Sequence, residues 1–269
     1  MDRRNYIFNR LKEHYTEAIK FDYEVVGIWL QGSQNYNLDE YSEQYMSDID
    51  TKCIVLPSLK NLINNEPEIS FTHVLANDEH IDFKDIRIIF NLFKKQNIQY
   101  LEILFSDFYI VNPKYTDLVE QLLSKAEYIS NIDYNSLLKT IMGMSLEKYK
   151  ALEHPYPTIK DKIDKFGYDP KQLHHILRLY DFMMKFINGT SFKDSLISTQ
   201  PEYLMQVKKG CYSLEKAREL AKTYIEAIKN TRLKYSLTEP FVDTKTLNFL
   251  DDLKVDFIKR YIYSNKETT

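Results

Sequence analysis

The spacing of hydrophobic residues changes part-way along the chain, and this change limits the possible folds more than any other feature. Before Pro113, short runs rich in β-branched and aromatic residues, such as 23–30 and 48–56, are typical of strands. After Pro113, apolar residues recur at helical spacing in nearly every segment. The sequence therefore predicts an α+β protein, with an α/β domain in residues 1–112 and an all-helical domain in residues 113–269.

Length and composition exclude several classes of protein. The 269 residues are 43% hydrophobic and 28% charged, which suits a folded chain with a substantial core rather than a disordered one. Because no run of about 18 apolar residues is present, we expect no membrane-spanning helix and no membrane partner. The first residues lack an apolar signal segment, and the two cysteines, Cys53 and Cys211, lie far apart. These features predict a cytoplasmic protein without a disulfide framework.

Charge is divided unevenly along the chain. The net charge of −3 combines −7 for residues 1–150 with +4 for residues 151–269. A near-neutral chain is not expected to coat nucleic acid without specificity. A basic groove that faces an acidic site is compatible with these values, and so is an uneven distribution of solvated charges.

Two aspartates lie two residues apart at the start of the second predicted strand. Because residues i and i+2 of a strand project to the same face, Asp48 and Asp50 stand side by side while Ile49 faces the core. Adjacent like charges repel, and a divalent cation removes the repulsion. Proteins commonly hold Mg²⁺ with one or two carboxylates and substrate phosphates. Two solvated acids at the beginning of a strand are the alternative interpretation.

A glycine and a serine follow the first predicted strand. Gly32 permits a close approach of the backbone and Ser33 supplies a hydroxyl, so this turn offers donors to a phosphate group. A role for Ser33 as a helix cap alone is compatible with the same pattern. Phosphate donors and carboxylates about 15 residues apart on successive strands would form the two halves of a metal–triphosphate site.

These two motifs give the chain a resemblance to a known family. Residues 32–37, Gly-Ser-Gln-Asn-Tyr-Asn, and residues 47–50, Ser-Asp-Ile-Asp, resemble the signature of DNA polymerase β-superfamily nucleotidyltransferases. The finer resemblance is to the RNA-repair-pathway-associated polymerase β-like subfamily, in which the turn reads roughly Gly-Ser-x-x-Tyr-Gly. Asn37 stands where that pattern has its last glycine, and asparagine also tolerates the left-handed backbone conformation.

Further segments extend the resemblance over about residues 25–240. Residues 90–105 resemble the subfamily's helix, asparagine turn and Leu-Glu-Leu-Leu segment. Residues 167–179 resemble its Gly-Tyr-Asp helix start, with lysine, histidine and arginine on the helix that follows. The resemblance implies a palm-like nucleotidyltransferase domain, with a small mixed sheet and helices, followed by a helical domain.

Members of the superfamily resemble one another in using a third acid on a neighbouring strand. The candidates in this chain are Asp78, Glu79, Asp82 and Asp85. We choose Asp82 because it lies between two apolar residues and directly precedes a predicted helix; a role as the cap of that helix is the alternative. The resemblance then implies that Asp48, Asp50 and Asp82 are catalytic and hold two Mg²⁺ ions, or Mn²⁺ in their place.

Three residues share one face of a predicted helix in the C-terminal half. Lys171, His175 and Arg178 are separated by four and three residues. Such a row opposite an acidic metal site would clamp the triphosphate or an acceptor phosphate, and a solvated basic face is the alternative. Together with Gly32 and Ser33, these residues complete the predicted nucleotide- and phosphate-binding set.

The resemblance implies an enzyme that moves a nucleoside monophosphate from an NTP, with ATP favoured, to an acceptor hydroxyl and releases pyrophosphate. An RNA 3′ end or a tRNA is the expected acceptor because the subfamily is named for RNA repair. Two alternatives stay open. One is AMP transfer to a protein side chain, as in some toxin–antitoxin members of the superfamily. The other is a catalytically silent nucleotide- or RNA-binding regulator, against which the intact turn and acidic motif argue.

Overall fold

The computed structural model describes residues 2–40, 47–236 and 242–264. The strands are β1 (Glu24–Gln31), β2 (Asp50–Leu56), β3 (Ser70–Val74), β4 (His80–Asp85) and β5 (Tyr109–Val111). The helices are α1 (Arg3–Ala18), α2 (Leu59–Ile63), α3 (Ile86–Lys94), α4 (Ile98–Leu101), α5 (Thr116–Ser124), α6 (Ala126–Ile129), α7 (Tyr134–Ala151), α8 (Lys160–Phe166), α9 (Pro170–Ile187), α10 (Phe192–Leu196), α11 (Pro201–Lys208), α12 (Leu214–Ser236) and α13 (Thr244–Ser264). A sheet combined with many helices confirms the α+β class.

The chain divides into two compact units. Unit 1 contains residues 1–35, 39–132 and 243–269, and unit 2 contains residues 36–38 and 133–242. All five strands belong to unit 1, and so does the C-terminal helix α13.

This division differs from the expected boundary after residue 112. Helix α13 returns to unit 1, where it contacts α3, α5 and β2. Phe257 of α13 lies edge-on to Phe90 of α3, with ring centroids 6.1 Å apart. Helical spacing in the sequence predicts that α13 is a helix, but it does not say against which core its apolar side packs. The boundary between the units therefore depends on tertiary packing.

The sheet of unit 1 has the strand order β3-β4-β2-β1-β5. β2 and β4 run parallel, whereas the other neighbouring pairs are antiparallel, so the sheet is mixed. Nearly every residue of β1 and β2 is buried, as expected for central strands covered on both faces. In β4, by contrast, buried residues alternate with partly exposed ones, which gives that strand an apolar side and a polar side.

Helix α1 contributes to the apolar core of unit 1. Ile7 and Leu11 of α1 are fully buried in a cluster with residues of the four longer strands. Ile49 belongs to the same cluster, which confirms that it faces the core while Asp48 is exposed and Asp50 is half-buried. The alternation expected of a strand therefore continues ahead of Asp50, where β2 begins.

The edge strand β5 was not predicted. Its three residues pair with Gly27, Ile28 and Trp29 of β1, and the flanking amide of Leu30 donates to the carbonyl of Phe108 at 2.9 Å. A segment of three residues is too short to show a period, so its extended conformation depends on pairing with β1 rather than on its own sequence.

Unit 2 is helical. Helix α9 contacts α7, α10, α11 and α12, and nine of its residues are buried. Asp169 caps α9 by accepting from the amide of Lys171 at 3.1 Å, and Pro170 occupies the first turn, where no amide donor is needed. No helix within the described ranges is long and apolar enough to cross a membrane.

Candidate active site

Pairing of β1 with β2 brings the glycine–serine turn beside the acidic motif. Gln31, the last residue of β1, is the partner of Asp50, the first residue of β2. The chain then leaves the sheet through Gly32, whose φ of +97° is strained for any residue with a side chain. Because the two strands are antiparallel, Ser33 and Asp48 leave the sheet at the same end.

A buried glutamine holds the turn and the acidic segment together. The side-chain amide of Gln34 donates to the carbonyl of Ser47 at 3.4 Å and to the carbonyl of Asp48. The guanidinium of Arg3 donates to the carbonyl of Gln34 at 2.8 Å. Sequence reasoning missed Gln34 because it occupies a variable position of the turn motif. Three residues later in that motif, Asn37 has a φ of 56°, which confirms the left-handed conformation expected there.

The third predicted acid lies on the neighbouring strand. Asp82 is inside β4, directly opposite Lys52 of β2 in the parallel pair. Lys52 follows Asp50 by two residues, so all three side chains project to one face of the sheet. The interpretation of Asp82 as a helix cap is wrong, because Asp85 caps α3 by accepting from the amide of Arg87 at 2.8 Å.

Two of the three predicted acids have cationic or titratable partners. One carboxylate oxygen of Asp50 accepts from the backbone amide of His80 at 3.1 Å and lies 2.9 Å from the Nδ1 atom of the same residue. The carboxylate of Asp82 lies 2.8 Å from the Nζ atom of Lys84, and the hydroxyl of Thr72 donates to it at 3.4 Å. The positive charge of Lys84 thus partly neutralises the acidic face at Asp82.

Lys52 is a charged residue of this face to which the sequence motifs assign no role. Its side chain is only 3% exposed; the Nζ atom contacts the side-chain oxygen of Gln31 and lies 4.5 Å from the centre of the Tyr100 ring. Burial lowers the pKa of Lys52 to about 8, although the negative charge of Asp82 acts in the opposite direction. Its spacing of two residues from Asp50 places Lys52 on the face that carries the acids.

The chemistry of the acidic face fits a hard divalent cation. Asp48, Asp50 and Asp82 supply only carboxylate oxygens, which are the ligands that Mg²⁺ prefers. Within residues 2–40, 47–236 and 242–264, however, no three His, Cys, Asp or Glu side chains converge closely enough to coordinate a metal ion. A cation bound by these acids would therefore replace or share the contacts of Asp50 with His80 and of Asp82 with Lys84.

The other three predicted residues lie on α9 in unit 2. Lys171 is exposed, whereas His175 and Arg178 are half-buried. The guanidinium carbon of Arg178 lies 4.1 Å from the ring centre of Tyr36, so part of this side chain is engaged in a cation–π contact. Burial, followed by the positive charge of Arg178, holds the pKa of His175 well below its ordinary value, so its ring is neutral at pH 7.

His174 precedes this row and differs from it. Only 3% of its surface is exposed, and neither ring nitrogen has a hydrogen-bond partner among the described residues. Burial, reinforced by the charges of Arg178 and Lys208, lowers the pKa of His174 to about 3. The sequence pattern does not indicate an unpartnered imidazole at this position.

The eight predicted residues therefore fall into two groups. Five of them come together at one end of three neighbouring strands in unit 1, namely Gly32, Ser33, Asp48, Asp50 and Asp82. The remaining three share α9 in unit 2.

Comparisons with known proteins add no assignment to this arrangement. No model of a protein family matches the chain, and no curated protein sequence matches it. Membership of the polymerase β superfamily therefore stays a prediction made from the motifs.

Proposed function

We propose that the protein is a Mg²⁺-dependent nucleotidyltransferase that moves an NMP from an NTP to an acceptor hydroxyl and releases pyrophosphate. One observation carries this proposal: a glycine–serine turn and three carboxylates lie at one end of three adjacent strands. This combination supplies phosphate donors next to hard oxygen ligands, which is what a metal-bound triphosphate requires.

Each group has a defined role in this reaction. Asp48, Asp50 and Asp82 would hold Mg²⁺, which when bound neutralises phosphate charge and lowers the pKa of the acceptor hydroxyl. The turn at Gly32 and Ser33 binds phosphate oxygens and aligns the α-phosphorus with the acceptor. The acceptor oxygen then bonds to the α-phosphorus while the bond to the pyrophosphate oxygen breaks, and the acceptor proton passes to a carboxylate of the site.

The finer assignments rest on the resemblance of the motifs. Unit 1 acts as a palm-like nucleotidyltransferase domain, and unit 2 is a helical domain in which Lys171, His175 and Arg178 bind phosphate. ATP is the favoured donor and an RNA 3′ end, including that of a tRNA, is the acceptor. The protein works in the cytoplasm, where NTPs and RNA ends are both present.

A labelling experiment tests this function. Purified protein is incubated with each α-labelled NTP, Mg²⁺ and either total RNA or cell protein. We expect the wild-type protein to label RNA, and the double variant Asp48→Asn/Asp50→Asn to lose at least a thousandfold of this activity, since metal binding contributes several kcal/mol to such reactions. Asp22→Asn, an exposed acid ahead of the opposite end of β1, is the matched control and should retain full activity.

The outcomes separate the three candidate functions. Label on RNA that depends on Asp48 and Asp50 supports the proposal. Label on protein alone indicates AMP transfer to a side chain instead. Absence of label with every nucleotide, in Mg²⁺ and in Mn²⁺, would overturn both transfer activities.

A further inference from the structure

A buried carboxylate contacts the segment that carries Asp48 and Asp50. Glu79 immediately precedes β4 and is 3% exposed. One of its oxygens accepts a hydrogen bond from the backbone amide of Ile49 at 3.2 Å. Ile49 separates Asp48 from Asp50, so this bond anchors the backbone between the two acids of the motif.

Helix α1 supplies the donors that surround Glu79. The Nε atom of Arg10 donates to its second oxygen at 3.0 Å, and the Nε2 atom of His14 donates to the same oxygen at 2.9 Å. The other ring nitrogen of His14 is hydrogen-bonded to the hydroxyl of Thr51 at 3.0 Å. The network therefore contacts the segment 48–51 at two residues, Ile49 and Thr51, which lie on either side of Asp50.

Filling this space with charged side chains costs more free energy than filling it with apolar ones. Removing a carboxylate from water is costly, and apolar residues of similar volume often stabilise a core as well as a buried ion pair does. The apolar cluster of unit 1 lies beside the network, so an apolar alternative was compatible with the surroundings. An apolar side chain, however, cannot accept a hydrogen bond from the amide of Ile49. Without Glu79, this amide would lose its hydrogen bond in the interior.

We propose that Glu79 is a positioning residue, which uses Arg10 and His14 of α1 to fix the backbone that presents Asp48 and Asp50. This inference rests on the proposed function, because it assigns Glu79 to the geometry of the reaction rather than to contact with the substrate. Displacement of reacting groups by about 1 Å reduces rates by roughly a hundredfold, so a fixed backbone at this point has a kinetic consequence.

The kinetic test compares two buried carboxylates of the same region. Asp85 also lies on the segment 79–85, is fully buried, pairs with Arg87 and accepts from the amide of Ile69 at 3.5 Å. Among the described residues, the structure gives its side chain no contact with Asp48, Asp50 or Asp82. We expect Glu79→Ala to lower kcat for nucleotide transfer by roughly 10- to 100-fold with little change in KM. Glu79→Gln retains an acceptor for Ile49 and should recover part of kcat, whereas Asp85→Asn should leave kcat unchanged.

Hydrogen exchange provides a measurement that does not depend on activity or metal. In the metal-free protein, we expect the amide of Ile49 to exchange at least tenfold faster in Glu79→Ala, while the amide of Ile54 in the middle of β2 is unaffected. Glu79→Gln, which keeps an acceptor but loses the charge, serves for the kinetic measurement if the alanine variant does not fold, and a smaller loss of kcat is then expected.

The two proposals fail in different ways. If the wild-type protein transfers no nucleotide, the proposed function is wrong, and exchange at Ile49 alone decides whether Glu79 fixes this backbone. If the wild-type protein is active but Asp85→Asn lowers kcat as much as the Glu79 variants do, or exchange at Ile49 is unchanged in Glu79→Ala, the positioning role of Glu79 is wrong.

Discussion

Glu79 of unit 1 and His174 of unit 2 are both titratable side chains with 3% of their surface exposed, yet their surroundings are opposite. Glu79 accepts hydrogen bonds from two side chains of α1 and from a backbone amide. His174 has no hydrogen-bond partner in the described part of the chain, and the charges that act on it are the cations Arg178, Lys208 and Lys171.

The pKa values of both residues fall, but for different reasons. Burial alone raises the pKa of Glu79, and hydrogen bonds from His14, Arg10 and Asn77 outweigh it and lower that pKa to about 2. For His174, burial itself lowers the pKa to about 3, and the neighbouring cations add to it. A depressed pKa therefore marks stabilising contacts in unit 1 and an unfavourable environment for charge in unit 2.

The largest effect is expected when the charge of Glu79 is removed. The pKa of Glu79 is about 2 in the folded protein against an ordinary 4.5, so ionised Glu79 stabilises the fold above pH 4.5 by about 3 kcal/mol. This contribution disappears as pH falls from 4.5 to 2. Urea unfolding should therefore show Glu79→Gln to be less stable than wild type at pH 7 and nearly equal to it at pH 2. A stability difference between Glu79→Gln and wild type that stays constant from pH 7 to pH 2 would contradict this prediction.

A smaller effect is expected when His174 is replaced, and this substitution should stabilise the fold, whereas replacing Glu79 should destabilise it. Its pKa is about 3 when folded and 6.5 ordinarily, so the unfolded chain binds a proton first and the fold loses stability as pH falls from 6.5 to 3. At pH 5, His174→Leu should be more stable than wild type by about 2 kcal/mol. The same substitution at the exposed His154 tests whether leucine alone stabilises unit 2. A wild-type stability equal to that of His174→Leu at pH 5 would contradict this account.

The smallest effect concerns a residue on the same helix that does have a partner. Arg178 lies over the ring of Tyr36 in unit 2, and a partly buried cation–π contact contributes about 1 kcal/mol. A double-mutant cycle with Arg178→Gln and Tyr36→Leu should give a coupling free energy of unfolding near this value. A coupling of zero would show that Arg178 gains no stability from the ring of Tyr36.

Local sequence patterns predicted the elements that carry the candidate site. Alternation predicted that Ile49 faces the core between two outward acids, and helical spacing predicted a shared face for Lys171, His175 and Arg178. The two central strands were predicted from runs rich in β-branched and aromatic residues, and the helix that bears this row was predicted from its apolar spacing. These features depend on residues within a few positions of one another, which is why a single sequence was enough.

Only the tertiary structure decided which distant residues meet. Ile49 and Glu79 are 30 residues apart, and His14 and Thr51 are 37 apart, so no local period connects them. The strand order, the edge strand β5, the return of α13 to unit 1 and the choice of Asp85 rather than Asp82 as a cap followed from packing in the same way. Hydrophobic spacing determines which side of an element is buried, whereas the partner of a buried polar group depends on three-dimensional contacts that the spacing does not encode.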